Sequence, residues 1–478
     1  MVMDFGDTGV EARFEEYVEA LCSALGHADR RAPFADYVTG LLLPIGRKSV
    51  EPMAARMAPS RTSAAHQPLL HLVGVSPWRD DAVLAAVREQ VVPALAADGI
   101  EAWIVDDTSF AKKGRHSVGV ARQYCGQLGK RDNCQVAVSL SLAGEAASLP
   151  VAWRLYLPKA WATDGALRRK AGIPADVGFR TKPGIALEQI AGAVAGGLPR
   201  GRHGGLILAD AGYGNDSGFR AELSALGLRY AVGILSSTTV WAPGTEPLPA
   251  KPWSGRGRPP TRLRRGGGQT PVSVKALAMR LPASAWEEVA WREGARDPLR
   301  SRFARLRPAH RDTARAEPWP EEWLLIEWPE GDAEPAKYWL STLPAETELK
   351  EMVRLAKLRW RIERDYRELK QEVGLGHYEG RGWRGFHHHA TLCIAAYGFL
   401  VRERLLFPPS GAKTGALLEE PALPEGFRPR GAPDPDAAAR AHVHRHAQDP
   451  DRGATRQEDD KVPMLSADHS RNGLFVTQ

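Results

Sequence analysis

Cysteine is scarce in this sequence of 478 residues, and its four cysteines are scattered without a Cys-x-x-Cys pair. Zinc sites and disulfide frameworks need cysteines at characteristic spacings, so the pattern argues against both. No apolar run approaches the roughly 18 residues of a membrane-spanning helix, and the acidic first residues lack an apolar secretion segment. We therefore expect a protein of the reducing cytoplasm with no membrane partner.

Basic residues exceed acidic residues only modestly, 64 against 57, which gives a formal net charge of +7 and a pI of about 9.2. For a chain of this length, that excess alone indicates a nucleic-acid partner only weakly. The basic residues are concentrated, however, in three stretches: residues 256–265, 300–315 and 354–370. This clustering favours a polyanionic partner.

The N-terminal part of the chain has helical periodicity. Apolar side chains recur at helical spacing in residues 11–60, at Phe14, Tyr17, Val18, Leu21 and Leu25 and again at Phe34, Tyr37, Val38 and Leu41. The sequence Ser76-Pro77 predicts the start of a further helix that continues through Val91. We assign residues 1–95 to an N-terminal helical region.

From residue 96 to residue 405 the pattern is that of an α/β domain. The predicted strands are residues 103–105, 134–142, 149–153 and 206–209, and a helix is predicted near residues 186–195. Two of these strands end on aspartates, at Asp106 (followed by Asp107) and at Asp210.

Residues 237–330 interrupt this pattern with proline, glycine and arginine. We predict a β-rich insertion there, with strands near residues 272–279 and 323–328, followed by one long helix over residues 349–373. The remaining sequence, residues 406–478, lacks apolar periodicity and is rich in Pro, Ala, Gly, Asp, His and Arg, which predicts a disordered tail.

Asp106 and Asp210 each follow a predicted buried strand. Strand ends in an open α/β sheet meet at a shared crevice, where ligands bind. Two carboxylates there repel one another unless a cation lies between them, and their oxygens suit Mg²⁺. Glu363, on the long predicted helix, offers a third carboxylate. It would complete a site for two ions that promote phosphodiester displacement.

Each of these carboxylates also has a purely structural interpretation. Glu363 lies at helical spacings from Arg359, Arg367 and Lys370, and such spacing also describes a surface salt-bridge ladder. Either aspartate alone would more often cap a turn or a helix. Composition and spacing leave the metal-site hypothesis and these alternatives about equal.

Three motifs carry a resemblance to a known family. They are Asp-Asp-Thr-Ser-Phe-Ala-Lys-Lys-Gly (residues 106–114, with 116–124 following), Leu-Ala-Asp-Ala-Gly-Tyr-Gly (208–214), and Arg-Trp-Arg-Ile-Glu (359–363, continuing to Lys370). These blocks resemble the three catalytic blocks of the DDE superfamily endonucleases. The chain is most similar to insertion-sequence transposases of family 701, relatives of family 4, over about residues 25–405. It departs from the family 4 signature at Ala356, where that signature has a tyrosine.

The resemblance implies a ribonuclease-H-like catalytic domain with a β-rich insertion before the third block. Its catalytic residues and metal ligands would be Asp106, Asp210 and Glu363, with Mg²⁺ as the cofactor and Mn²⁺ as an alternative ion. The motif favours Asp106 over the fallback Asp107 and Glu363 over its rival Glu368. The Ala356 departure leaves the three carboxylates intact and bears on how DNA ends are handled.

Several residues are predicted to contact DNA. Arg359, Arg367 and Lys370 would hold the phosphate backbone beside Glu363. Further candidates, each with a structural alternative, are Lys112 and Lys113 (phosphate contact or solvated turn), Trp360 with Trp383 (base stacking or core), and Arg256 with Arg258 (AT-hook-like minor-groove contact or generic phosphate-binding loop). Adjacent histidines at 387–389 would point in different directions on a helix, so we expect packing or DNA contact rather than one metal site.

The resemblance implies a transposase of the bacterial cytoplasm, associated with the nucleoid. It would cleave the ends of an insertion sequence and transfer them into target DNA, acting as a homodimer on double-stranded DNA. The N-terminal helical region would help to bind the terminal repeats. Two alternatives stay open: a non-catalytic DNA-binding regulator derived from a transposase, and a metal-dependent DNA nuclease without strand transfer. The metal-site hypothesis requires the three carboxylates to meet within a few ångströms.

Overall fold

The computed structural model describes residues 8–243, 248, 252–259, 270–292, 298–307, 310–311 and 322–408. Within these residues the helices are α1 Thr8–Cys22, α2 Arg31–Leu42, α3 Val50–Met57, α4 Thr62–Gly74, α5 Asp80–Asp98, α6 Lys159–Thr163, α7 Gly165–Ala171, α8 Lys182–Ala195, α9 Ala211–Gly214, α10 Ser217–Ala225, α11 Val274–Ala278, α12 Leu349–Lys357, α13 Trp360–Gln371 and α14 Trp383–Leu406. The strands are β1 Ile100–Ala111, β2 Ala121–Cys125, β3 Lys130–Gly144, β4 Ser148–Leu155, β5 Leu206–Ala209, β6 Arg229–Ile234, β7 Thr239–Trp241, β8 Val272–Ser273, β9 Glu287–Arg292, β10 Leu299–Leu306, β11 His310–Arg311, β12 Trp323–Trp328 and β13 Lys337–Ser341.

Helices α1–α5 confirm the helical character predicted for the N-terminal region. The apolar faces of α2, α4 and α5 pack on α14, whose side chains are buried along most of its length. Helix α1 also contacts α14, since the Tyr17 hydroxyl donates a hydrogen bond to the Ala395 carbonyl at 2.8 Å. The predicted start at Ser76 is wrong: α5 begins at Asp80, where two aspartates occupy the first turn and interact favourably with the helix dipole.

A large mixed sheet is the main β-structure of the described residues. Its strand order is β2-β3-β1-β5-β6-β13-β12-β10-β9, with β4 also pairing with β3. The pairs β1–β5 and β5–β6 are parallel, and the other pairs are antiparallel. A second, three-stranded sheet has the order β11-β7-β8. The prediction of a mixed α/β architecture is confirmed.

The structure corrects three predicted elements. Strand β1 does not end at Asp106, because the ladder with β3 continues through both aspartates to Ala111. The strand predicted near residues 272–279 is mainly helix α11, which the Ser273 side chain caps by accepting from the Ala276 amide at 3.1 Å. The long helix predicted over residues 349–373 is two helices, α12 and α13, which are separated at Leu358 and Arg359.

The region predicted as an insertion takes part in the central sheet. Strands β9, β10 and β12 extend that sheet from β13, and the predicted strand at Trp323–Trp328 is confirmed as β12. Residues 406–408 are described, with Leu406 ending α14, and the rest of the predicted tail, 409–478, lies outside the described residues. None of the described helices is long and apolar enough to span a membrane.

Candidate active site

Asp106 and Asp210 lie at matching positions on neighbouring parallel strands. Ile104 of β1 pairs with Leu208 of β5, and two further residues along each strand bring Asp106 level with Asp210. Side chains at matching positions of parallel strands project from the same face, and such strands lie about 4.8 Å apart. The two aspartates are therefore lateral neighbours at the end of β5.

A close approach between backbones fixes the turn that carries Asp210. The Asp210 side chain caps α9 by accepting a hydrogen bond from the Gly212 amide at 2.9 Å. A Cβ atom added at Gly214 would lie 2.0 Å from the Gly233 carbonyl oxygen of β6. Only glycine allows α9 to pack this closely on β6, and this packing holds Asp210 beside Asp106.

Arg359 connects the first aspartate to Glu363. Its guanidinium donates to Asp106 Oδ2 at 2.9 Å and to Glu363 Oε1 at 3.3 Å. The Asp106 side chain is 14% exposed, whereas that of Glu363 is 63% exposed. Helix α13 begins at Trp360, directly after Arg359, and carries Glu363 in its first turn. The break between α12 and α13 therefore places Arg359 one turn before Glu363.

The Asp106 carboxyl group has a perturbed pKa. Burial raises the pKa of this carboxyl group, the Arg359 guanidinium lowers it and the Asp210 carboxylate raises it, and the net result is a pKa of about 7. A carboxylate in this position needs a nearby cation to stay ionised at neutral pH.

Helix α13 is attached to the sheet by polar contacts that sequence patterns did not indicate. The hydroxyl groups of Tyr366 and Ser139 share a hydrogen bond, and Lys370 donates to the Ser109 carbonyl at 2.8 Å. The buried Asp365 accepts from Ser148 at 2.5 Å and from Tyr397 at 2.9 Å. The only sequence signal for these contacts was the position of Tyr366, Asp365 and Lys370 within or next to the third motif.

The two rival carboxylates are engaged elsewhere. Asp107 projects from β1 on the side opposite to Asp106, where it accepts from Lys182 at 2.5 Å and from the Tyr213 hydroxyl. Glu368 accepts from Arg364 at 2.9 Å and from the Tyr397 hydroxyl at 3.0 Å. Asp107 and Glu368 are therefore held by contacts separate from the Arg359 guanidinium, which contacts Asp106 and Glu363.

The three candidate carboxylates do not form a compact cluster, contrary to the expectation that they meet within a few ångströms. Among the described residues, the three ligand-type side chains with donor atoms all within 4.8 Å of one another are Glu101, His203 and Glu351. That group is an ion-pair network, because Arg354 donates at 2.7 Å to both glutamates. Burial would raise the pKa of Glu101, but the hydrogen bonds from His203 and Arg354 lower it to about 2.

The candidate site nevertheless has the chemistry of a divalent-metal site. Asp106, Asp210 and Glu363 supply only carboxylate oxygens, the ligand type that Mg²⁺ prefers. The position between Asp106 and Glu363 already holds a cation, the Arg359 guanidinium. The donor set therefore fits a divalent ion.

The predicted DNA-contacting side chains differ in accessibility. Arg367 and Lys113 are exposed, as are Arg256 and Arg258. Lys112 donates to the Tyr378 carbonyl at 2.8 Å. Lys370 is largely buried, and burial lowers its pKa to about 8. Its ammonium group donates a hydrogen bond to the Ser109 carbonyl, and this contact joins α13 to β1.

The predicted tryptophans and histidines have protein partners. Trp360 is half-buried, and the Arg292 guanidinium stacks on its ring at 4.2 Å, while Trp383 is buried. The buried histidines 387–389 each contact a different element. His388 stacks on Trp78 at 3.7 Å between ring centroids. This agrees with the packing role expected for the three histidines.

Comparisons with known proteins connect this geometry to a family. Residues 20–298 match the family model described as DDE superfamily endonuclease. A probable transposase for insertion sequence element IS701, from Microchaete diplosiphon, is 33% identical over 172 residues. That match covers 36% of this chain and 41% of the relative, so it spans less than half of the relative's length. The structure is also similar to a piggyBac transposase in a synaptic complex with hairpin DNA, at 11% identity and a TM-score of 0.35, covering 80% of this chain and 74% of that one.

Proposed function

Because the chain belongs to the DDE superfamily of endonucleases, we propose that it is a transposase that cleaves the ends of an insertion sequence and joins them to target DNA. The observation that carries this proposal is the alignment of Asp106 with Asp210 on β1 and β5, with Arg359 linking Asp106 to Glu363. The identity of the matched relative, a probable insertion-sequence transposase, supports the same assignment.

The proposed catalytic domain is ribonuclease-H-like. Strands β1, β3 and β4 are antiparallel, and β5 and β6 run parallel to β1, which gives the order β4-β3-β1-β5-β6. The first aspartate then lies on the first strand of this set, the second at the end of the fourth, and the glutamate on a later helix. This arrangement supports the fold that the sequence motifs imply.

Asp106, Asp210 and Glu363 would hold Mg²⁺ or Mn²⁺, which when bound activates the attacking oxygen and stabilises the leaving oxygen. In the first step a water oxygen attacks the scissile phosphorus as the bond to the 3′ oxygen breaks, releasing a 3′-hydroxyl group. In the second step the oxygen of that 3′-hydroxyl group attacks a phosphorus of the target DNA as the bond from that phosphorus to the target's own 3′ oxygen breaks, and the target 3′ oxygen leaves as a hydroxyl group. The exposed Arg367 and the partly exposed Arg359 would position the phosphate backbone.

The partners in this proposal are the terminal repeats of the element and the target DNA. The N-terminal helical region, residues 1–95, would contribute to binding of the repeats. Two DNA ends must be joined in one event, so two copies of the chain would act as a homodimer on DNA. The setting would be the bacterial cytoplasm, in association with the nucleoid.

The decisive experiment incubates the purified full-length chain with Mg²⁺ and duplexes carrying the DNA that flanks its gene. Asp210→Asn should lower cleavage at least about a hundredfold, because loss of a metal ligand exceeds the 10- to 100-fold effect of outer-shell changes. Asp216→Asn is a matched control, since Asp216 also caps a helix, accepting from the Gly218 amide at 2.8 Å. The control should cut and join as the wild type does.

Three other outcomes would contradict the proposal. Specific binding without any cutting by the wild type would favour the regulator. Cutting without joined products would favour a nuclease that lacks strand transfer. Equal activity of wild type and Asp210→Asn would remove Asp210 from the catalytic site.

A further inference from the structure

The guanidinium of Arg359 lies between two candidate metal ligands. It is bound to Asp106 at 2.9 Å and to Glu363 at 3.3 Å, and 28% of its side chain is exposed. A divalent ion bound by these two carboxylates would need the same space, and its charge would repel the guanidinium. Arg359 and a bound cation therefore compete for this position.

The backbone on either side of Arg359 is held in place. On α12, the largely buried Lys357 forms an ion pair with Glu327 at 2.5 Å. On α13, Tyr366 bonds to Ser139 and Lys370 bonds to the Ser109 carbonyl. A change in the position of the guanidinium must therefore come from rotation of the Arg359 side chain.

The aspartates explain why the site needs a cation of its own. Asp106 is largely buried and lies beside Asp210, so an uncompensated charge there is costly. Arg359 supplies the missing positive charge from within the chain. The same guanidinium is well suited to a phosphate group, which it binds through two parallel hydrogen bonds.

We propose that Arg359 is an internal counter-ion that occupies the metal site until a divalent cation displaces it, and that the displaced guanidinium then binds a DNA phosphate. This inference rests on the proposed metal site and adds a coupling between two binding events. A phosphate that draws Arg359 away from Asp106 favours cation binding. By thermodynamic reciprocity, a bound cation favours DNA binding to the same extent.

The test is direct binding of Mn²⁺ to the full-length chain, measured from the electron paramagnetic resonance signal of the free ion. Arg359→Gln removes the competing charge and should bind Mn²⁺ at least about tenfold more tightly than the wild type, a change of about 1.4 kcal/mol. Arg364→Gln is the matched control, because Arg364 lies on the same helix and also pairs with a glutamate four residues further on, Glu368 at 2.9 Å, so its loss should leave Mn²⁺ affinity unchanged. Arg359→Lys should give an intermediate affinity, since a single ammonium cannot span both carboxylates as the guanidinium fork does.

A second arm measures the coupling. Duplex DNA should tighten Mn²⁺ binding by the wild type several-fold and should have little effect on Arg359→Gln. Equal Mn²⁺ affinity for wild type and Arg359→Gln, with or without DNA, would overturn the inference.

The failure of this inference is distinguishable from failure of the proposed function. Asp106→Asn should abolish Mn²⁺ binding in either background. If it does so while Arg359→Gln has no effect, the metal site stands and the counter-ion role is wrong. If Asp106→Asn binds Mn²⁺ like the wild type, or if no variant binds the ion, the metal site itself is wrong. Circular dichroism of each variant establishes that it is folded.

Discussion

Acidification should reveal the energetic role of the buried His388. Its Nε2 atom lies 2.9 Å from the Trp78 carbonyl oxygen, and its buried Nδ1 atom has no hydrogen-bond partner among the described residues. Protonation would place a positive charge on this buried ring, where burial penalises the charged form. Burial lowers the pKa of His388 to about 4.

The direction of the effect follows from the two protonation states. The unfolded chain protonates this histidine below a pKa of about 6.5, whereas the folded chain resists protonation down to about 4. The stability that the neutral His388 contributes is therefore fully present above pH 6.5 and is lost as the pH falls towards 4. When the pH is lowered from 7.5 to 5, the contribution of His388 should lower the free energy of unfolding by about 2 kcal/mol, because each pH unit below 6.5 lowers it by about 1.4 kcal/mol.

The wild-type curve alone does not isolate this contribution. Burial raises the pKa values of Asp106 and Asp365 to about 7 each. A carboxyl group whose pKa is raised by folding stabilises the folded chain at a pH below the pKa of the unfolded chain, and this stabilisation is lost as the pH rises through 7. Its effect on stability therefore changes with pH in the direction opposite to that of His388. The measurement must therefore compare two chains that share both aspartates.

The variant His388→Phe keeps an aromatic ring on Trp78 and removes the titrating group. We expect it to be less stable than the wild type at pH 7.5, because the Trp78 carbonyl loses its partner. The stability gap, meaning the difference in free energy of unfolding between wild type and variant, should be about 2 kcal/mol smaller at pH 5 than at pH 7.5. Urea denaturation followed by tryptophan fluorescence measures the gap at each pH. His71→Gln, at an exposed histidine of α4, should show a constant gap. A gap that also stays constant for His388→Phe would refute the buried-neutral interpretation.

Two further substitutions test packing near the candidate site. Gly214→Ala places a Cβ atom against the Gly233 carbonyl and should cost about 3 kcal/mol or more, measured by thermal unfolding. Gly192→Ala, on α8 with nothing within 4 Å, should be neutral or stabilising, and equal melting temperatures for the two variants would contradict the close contact. Lys357→Met leaves the largely buried Glu327 without its ion-pair partner and should cost about 3–5 kcal/mol in urea denaturation, whereas a change below about 1 kcal/mol would show that the pair is not buried in solution.

Local sequence patterns predicted an element correctly where neighbouring residues determine the element and its boundaries. The apolar run 206–209 became β5 with the predicted bounds, because Asp210 and the following Ala-Gly turn the chain at once into α9. The alternation at 134–142 likewise marked the core of β3, since strand periodicity is visible within a few residues.

Features that depend on distant partners were not predictable from local patterns. The continuation of β1 past Asp106 depends on Ser139 and Val138 of β3, which lie over 30 positions away. The break at Arg359 lies inside a sequence with helical periodicity on both sides, so periodicity predicted one helix. The contact of Arg359 with Asp106 joins two residues 253 positions apart, so local patterns did not predict it.

The central sheet also has a consequence for how this chain can be shortened. Deleting residues 237–330 as though they were a separable module would remove β12 and leave β13 paired only with β6. The backbone groups on the other side of β13 would then face solvent, together with buried side chains such as Trp339. Exposed strand edges of this kind recruit strands from other molecules. A trimmed protein of that design should aggregate during expression, and a functional minimal version must retain β12 in its place beside β13.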